Sequence, residues 1–434
     1  MAMLEFSDKT VDLISYKELW AKNDRPTVIY LHNPFCMTYD NCGYCMHKGC
    51  PKNNHTEQEV QQFYFEYMPK LFKWYDCILS KQDIKLVSFG GGTPNYLSAE
   101  KFEEYLKSMP DYILKARKLI ELHPALITED FIRVLAKYNF TTAIFCFQTF
   151  DEKILKANGR LIPDYENAFK CMHLAKTLGI NVAADLITYW TTDEGWIDVL
   201  RKDFKVLGED ADEITISVLY QNKYNRDDFD GIEVYRKIQR AVSDFYPEWQ
   251  NPEHTLEDCF NVAATRIYKP GTSIREDFDV YINSLSDMPW EHEQGYSTFG
   301  IGTYKNGDKA AYSMIGPDLL FYEEFIDFDT PPTIHKHRDW SFWEGARNVI
   351  KFYEDLFNGK NPPVGVTLTL QNLCKAANYG IEQFDHFKQA DRCNGEWSPR
   401  LVFSGKSAEE KKREEEFFDV VSKVDKNAVM SYNF

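Results

Sequence analysis

No run of about 18 consecutive apolar residues, the length a membrane-spanning helix needs, occurs anywhere in this chain. Met1 to Trp20 also lack a basic segment followed by an apolar core, so no secretory leader is recognised there. A cytoplasmic protein without a membrane partner is expected. Positive charge is scarce too. Lys and Arg number 50 against 67 Asp and Glu, and the net charge of −17 would repel a phosphate backbone. Nucleic acid is therefore not an expected partner. The densest charge run, Lys406 to Asp419, mixes signs at helical spacing and reads as a solvated helix face. Most of the 10 cysteines are scattered, which argues against a disulfide framework in a reducing compartment.

The exception is a loop that directly follows an apolar run. Tyr30 to Cys45 reads Y-L-H-N-P-F-C-M-T-Y-D-N-C-G-Y-C, with Cys36, Cys42 and Cys45 in a C-x5-C-x2-C pattern. A disulfide needs a partner at a set Cα separation, whereas an iron–sulfur cluster or a zinc ion can gather thiolates from one loop. Three thiolates on a four-iron cluster leave one iron open to a small molecule. Recruiting Cys50 as fourth ligand would instead close the site, as a zinc knot or an electron-transfer centre. Both arrangements are compatible with the spacing.

Along the chain, short β-branched or apolar runs alternate with helical periodicity. Strands are expected at Thr27–Asn33, Lys85–Phe89, Lys118–Leu122, Thr142–Phe147, Asn181–Tyr189 and Glu213–Tyr220. Ser98 and Thr128 are helix N-cap candidates, and Gly179 is a helix C′ candidate. This alternation implies an α/β fold, a partial, six-stranded, parallel TIM-like barrel with its site at the strand C-termini. The rhythm stops near residue 225. Three regions follow: an N-terminal extension (1–25), the barrel (26–225), and a C-terminal substrate or capping domain (226–434), mostly helical α+β and rich in aromatics. In that last region His335 and His337 read as part of a solvated loop.

The cysteine loop resembles the radical S-adenosylmethionine (SAM) superfamily. Tyr30, His32, Pro34, Phe35 and Cys36, with Gly43, Tyr44 and Cys45, are most similar to the branch typified by oxygen-independent coproporphyrinogen oxidase, although that branch spaces its cysteines C-x3-C-x2-C. The resemblance continues strand by strand. Gly90–Gly91–Gly92–Thr93–Pro94 resembles the turn that supports the SAM amino group, and Glu121 in Glu121–Leu122–His123–Pro124 matches the acidic residue of an E-x-x-P turn. Phe147–Gln148–Thr149–Phe150–Asp151, with Gly159–Arg160, resembles a segment whose Gln and Arg bind SAM. Asp185–Leu186–Ile187 resembles a strand end with its Asp on the cofactor, and Gly300–Ile301–Gly302–Thr303 a late glycine turn. Two departures stand out: Thr188–Tyr189–Trp190 replaces a G-L-P turn, and Cys146–Phe147 replaces Gly-Val.

The resemblance implies a 4Fe-4S cluster on Cys36, Cys42 and Cys45. It implies SAM held by Tyr30, Tyr44, Gly91, Gly92, Thr93, Glu121, Gln148, Arg160, Asp185 and Thr303. No side chain stands out as a general acid or base. The implied activity is reductive cleavage of SAM to a 5′-deoxyadenosyl radical that attacks an unactivated carbon of a small organic substrate, with a flavodoxin or ferredoxin as electron donor. The same branch holds porphyrinogen oxidases, class C methyltransferases that use two SAM molecules, and haem-binding chaperones.

Overall fold

Segments opened by Ser, Thr or Asp separate the apolar runs, and the backbone follows that punctuation. The computed structural model describes residues 10–45, 49–191, 193, 195–219, 231–249, 264–272, 297–302, 312–315, 319–324 and 328–339. The strands are β1 (Thr10–Val11), β2 (Thr27–Asn33), β3 (Ile84–Gly91), β4 (Arg117–Leu122), β5 (Phe140–Gln148), β6 (Asn181–Thr188), β7 (Glu213–Val218), β8 (Ala264–Tyr268), β9 (Ser297–Ile301), β10 (Tyr312–Ile315), β11 (Leu319–Glu324) and β12 (Thr333–Asp339). The helices are α1 (Leu13–Trp20), α2 (Glu57–Gln62), α3 (Met68–Leu79), α4 (Ala99–Lys107), α5 (Asp111–Lys115), α6 (Glu129–Lys137), α7 (Glu152–Ala157), α8 (Tyr165–Thr177), α9 (Trp196–Leu207) and α10 (Gly231–Phe245).

Local chemistry accounts for the helix ends. The Ser98 and Thr128 side chains accept from Lys101 N and Phe131 N, satisfying first-turn amides that have no partner within the helix. Gly179 follows α8 at φ 81°, a conformation a Cβ would disfavour. The sequence suggests one long helix from Glu57 to Leu79, but the π-helical turn Phe63–Tyr67 divides it into α2 and α3. The wider turn shifts the helical phase, so Phe63, Tyr64 and Tyr67 all become buried.

The sheet runs β1-β12-β11-β10-β9-β2-β3-β4-β5-β6-β7-β8. Strands β2 to β7 pair in parallel, and β9 adds to the free side of β2, also in parallel. The parallel run thus counts seven strands among the described residues, where periodicity suggests six. Strand β9 is preceded by no helical rhythm that would announce it. The described parts of residues 226–434 are α10 and five strands of the same sheet, in a region expected to be mostly helical. His335 and His337 belong to β12 rather than to a loop. Trp290, Trp340, Trp343, Trp397 and the run Lys406 to Asp419 lie outside the described residues. The segment read as an N-terminal extension supplies β1 and α1, and Trp20 is wholly buried, its ring 4.9 Å from that of Phe299.

Alternation along each strand gives the sheet two faces. Ile29, Leu31, Val87, Phe89, Ile120, Leu122, Phe145, Val182, Ala184 and Ile214 share one large core with α3, α4, α6, α8 and α9. The other face holds a smaller core of Val28, Leu86, Leu119, Ile144, Ala183 and Tyr268. One pleat further toward the strand C-termini, that second face carries Tyr30, Ser88, Glu121, Cys146 and Asp185. Polar side chains thus gather where the parallel strands end.

Candidate active site

The cysteine loop is closed at its base. Cys36 N donates to Cys50 O at 2.9 Å and Cys50 N to Pro34 O at 2.7 Å, so the chain leaves β2 and returns to its own starting point. Within it, Cys36 and Cys42 are buried and Cys45 is half-buried. Burial pushes the Cys36 thiol up to about 12, with Cys45 and then Cys42 adding to the effect, so the three sulfurs share one electrostatic environment. Cys50 is fully buried in the larger core and its Sγ donates to Asn54 O at 3.4 Å, although it too adds slightly to the rise of the Cys36 thiol.

The glycine turn after β3 is sewn onto this loop. Gly92 N donates to Asn33 O at 2.6 Å, Thr93 N to Phe35 O at 2.8 Å, and Met37 N to the Thr93 hydroxyl at 3.3 Å. A Cβ on Gly92 would lie 2.5 Å from Phe35 O and 2.9 Å from Cys36 Sγ. Gly91, at φ 97°, would meet Asn33 O at 2.5 Å. These residues need to be glycine because β2 and its loop pass so close. Gly92 and Thr93 are expected at the cofactor, and their amides are engaged by the protein itself. Asn33, which sequence reading did not single out, is central here. It accepts from Tyr64 Oη at 2.6 Å and donates to Phe35 O and Thr93 O.

On the far side the loop rests on the segments that follow β5 and β6. Gly43 N donates to Asn158 O at 3.0 Å, and Tyr44 packs edge-on against Trp190 with ring centroids 5.5 Å apart. Arg160 is half-buried beside them. Its Nη2 donates to Cys146 O at 2.7 Å. Burial works against its charge, but Tyr44, Cys42 and Cys146 outweigh that and hold it protonated more firmly than usual.

Cys146, in the position of the family's glycine, links the remaining groups. Its Sγ donates to Asp185 Oδ2 at 3.5 Å, and burial, then Asp185 and Glu121, push the thiol well above its ordinary value. Glu121, Cys146, Arg160, Asp185, Tyr44 and Cys42 are therefore neighbours, although they lie on separate strand ends and loops. On the other flank, Tyr30 Oη meets His32 Nδ1 at 3.2 Å, and Gly90 leaves room for the Tyr30 ring. Gln148 sits at a register shift in β5 with φ 69°, and Tyr189 at the end of β6 has φ 66°. Such left-handed backbone is uncommon for non-glycine residues and concentrates at functional sites. Tyr189 lies in the segment Thr188–Tyr189–Trp190 that replaces the family's G-L-P turn, and it adopts this backbone without being glycine. Thr303 lies outside the described residues.

Supporting residues hold these turns. Asn95 pairs with the His123 backbone in both directions, at 2.8 and 3.1 Å. Asp203 of α9 accepts from the Thr149 hydroxyl at 3.0 Å and from Phe150 N at 2.7 Å, anchoring the turn after Gln148. Sequence reasoning missed both. The available signal was a polar residue inside an otherwise apolar pattern, such as Asp203 between Leu200 and Leu207.

The arrangement suits a cluster-bound zwitterion. Among the described residues no three His, Cys, Asp or Glu side chains are close enough to share one metal ion. Thiolates on an iron–sulfur cube each bind a different iron and stand further apart than the ligands of a single ion. Two carboxylates, Glu121 and Asp185, and one guanidinium, Arg160, surround the face beside the loop. They complement a molecule carrying both an ammonium or sulfonium and a carboxylate.

Residues 30–202 match the radical SAM superfamily. This stretch is a radical SAM domain. Over 346 residues the chain is 22% identical to the oxygen-independent coproporphyrinogen III oxidase of Helicobacter pylori, covering 75% of this chain and 72% of the relative. It is 31% identical over 199 residues to the Bacillus subtilis oxygen-independent coproporphyrinogen-III oxidase-like protein HemZ, covering 43% and 37% of the two chains. The fold is similar to that of Escherichia coli coproporphyrinogen III oxidase (HemN), with a TM-score of 0.60, 15% identity, and 96% and 95% of the two chains covered. The chain thus carries a radical SAM domain similar to those of HemN-type proteins, and that superfamily uses a 4Fe-4S cluster and SAM. Among the described residues no helix is long and apolar enough to cross a membrane.

Proposed function

We propose that Cys36, Cys42 and Cys45 hold the 4Fe-4S cluster and that Tyr30, Tyr44, Glu121, Gln148, Arg160 and Asp185 hold SAM against it. When bound, the pair supplies a one-electron reduction of the sulfonium and a radical able to take hydrogen from an unactivated carbon. The residues of the chain orient rather than donate protons. Arg160 is matched to a carboxylate, Glu121 and Asp185 offer acceptors to hydroxyl and amino groups, and the Tyr44–Trp190 pair shields one side from water. The observation that carries this reading is the convergence of Cys42, Tyr44, Glu121, Cys146, Arg160 and Asp185 from separate elements onto one polar face.

The substrate is a small organic molecule, bound with the help of the region 226–434 as a capping domain, and reduction comes from a flavodoxin- or ferredoxin-type protein. A tetrapyrrole is the second reading, supported by the similarity to the Helicobacter pylori oxidase over most of both chains. Similarity to a Lactococcus lactis haem chaperone, 26% identical over 171 residues, makes haem uptake the non-catalytic counterpart.

The test is anaerobic reconstitution, reduction with dithionite and assay for 5′-deoxyadenosine. Wild type is expected to form it and Cys36→Ala to form none. Stoichiometric haem binding by a fully loaded protein that forms no 5′-deoxyadenosine would sink the enzymatic reading.

A further inference from the structure

The fold uses only one edge of the His123 ring. Nδ1 accepts from Ala125 N at 3.2 Å and caps the short turn Pro124–Leu126, which assigns the ring proton to Nε2. The side chain is 4% exposed, and Nε2 has no hydrogen-bond partner. Leaving such a donor buried and unsatisfied is costly. The cap does not demand it, since the side-chain oxygen of an asparagine accepts from the same amide. Burial and, after it, the charge of Arg160 hold the imidazole well below its ordinary value, so it is neutral at pH 7. Around this point the chain therefore offers donors: the Arg160 guanidinium, which has no acceptor atom, and the Nε2–H of His123. A group that satisfies donors alone is an acceptor without a proton, and the commonest in a metabolite is a carboxylate.

We propose that His123 is a ligand-binding residue, its Nε2–H donating to a carboxylate oxygen of the bound molecule beside Arg160. Resting on the reading that this site takes SAM, the inference assigns that oxygen to the methionyl carboxylate. The histidine adds a donor without adding a second positive charge next to Arg160, so the site remains able to accept the cationic sulfonium.

The experiment is equilibrium dialysis of anaerobically reconstituted wild type and His123→Asn with SAM, and with methionine and 5′-deoxyadenosine as its two halves. Asparagine keeps the cap and removes the second donor, so the melting temperature of the cluster-loaded protein should stay within about 2 °C. SAM affinity should fall about tenfold, the value of one hydrogen bond to a charged group. Methionine should show the same loss and 5′-deoxyadenosine none. Equal SAM affinity in the two proteins overturns this inference alone, and so does a loss confined to 5′-deoxyadenosine. A cluster-loaded wild type that binds no SAM overturns the functional reading beneath it.

Discussion

Asp203 is a buried carboxyl whose stability effect has a definite sign. It is 1% exposed, and its Oδ1 accepts from Thr149 Oγ1 and Phe150 N while Oδ2 finds no partner. Burial raises its pKa from 3.8 to about 7, against the lowering effect of those two hydrogen bonds. Below the unfolded value both states hold the proton and no penalty exists. As pH rises from there toward the folded value, the unfolded chain releases the proton first, and stability falls by about 1.4 kcal/mol per pH unit. Once Asp203 is ionised in the folded protein too, the loss levels off, on the order of 4 kcal/mol. Asp203→Asn keeps the acceptor for Thr149 and Phe150 and cannot ionise. Its stability relative to wild type should rise by about 3 kcal/mol between pH 5 and pH 8, seen as a melting-temperature gain on the order of 5 °C. Differential scanning fluorimetry of both proteins across that range measures it. Parallel pH profiles would refute the argument and mean that Asp203 stays ionised in the fold.

Two substitutions probe the cysteine loop. Gly92→Ala places a methyl group 2.5 Å from Phe35 O, so the loop must shift. A destabilisation of about 1–3 kcal/mol with reduced iron and sulfide content is expected, and unaltered metal content would show that the close approach is dispensable. Cys50→Ala removes a buried thiol from the core and should destabilise by about 1–2 kcal/mol while leaving iron and sulfide at wild-type levels. Loss of iron comparable to that of Cys36→Ala would make Cys50 a ligand and return the site to the closed, four-thiolate form.

How much was legible in the sequence depended on distance along the chain. Strands β2 to β7 are visible because each is a local run of β-branched or apolar residues bounded by a capping or turn residue. The cysteine loop and its following turns are visible because their residues are contiguous and the family's pattern resembles them. Strand β9 was not legible. Its five residues, Ser297–Ile301, are a strand because β2 offers them a parallel edge and β10 an antiparallel one. Trp20 likewise reads as part of an extension until Phe299 is seen packed against it. The tertiary structure alone decided that Gly92 and Thr93 turn their amides toward β2, and that Cys146 joins Glu121 and Asp185. It alone showed Cys50 facing the core and His123 presenting a second donor. Those facts concern which side of a turn an atom faces and what lies across from it. Sequence determines the residue at each strand end, and the register and curl of the sheet determine what that residue meets.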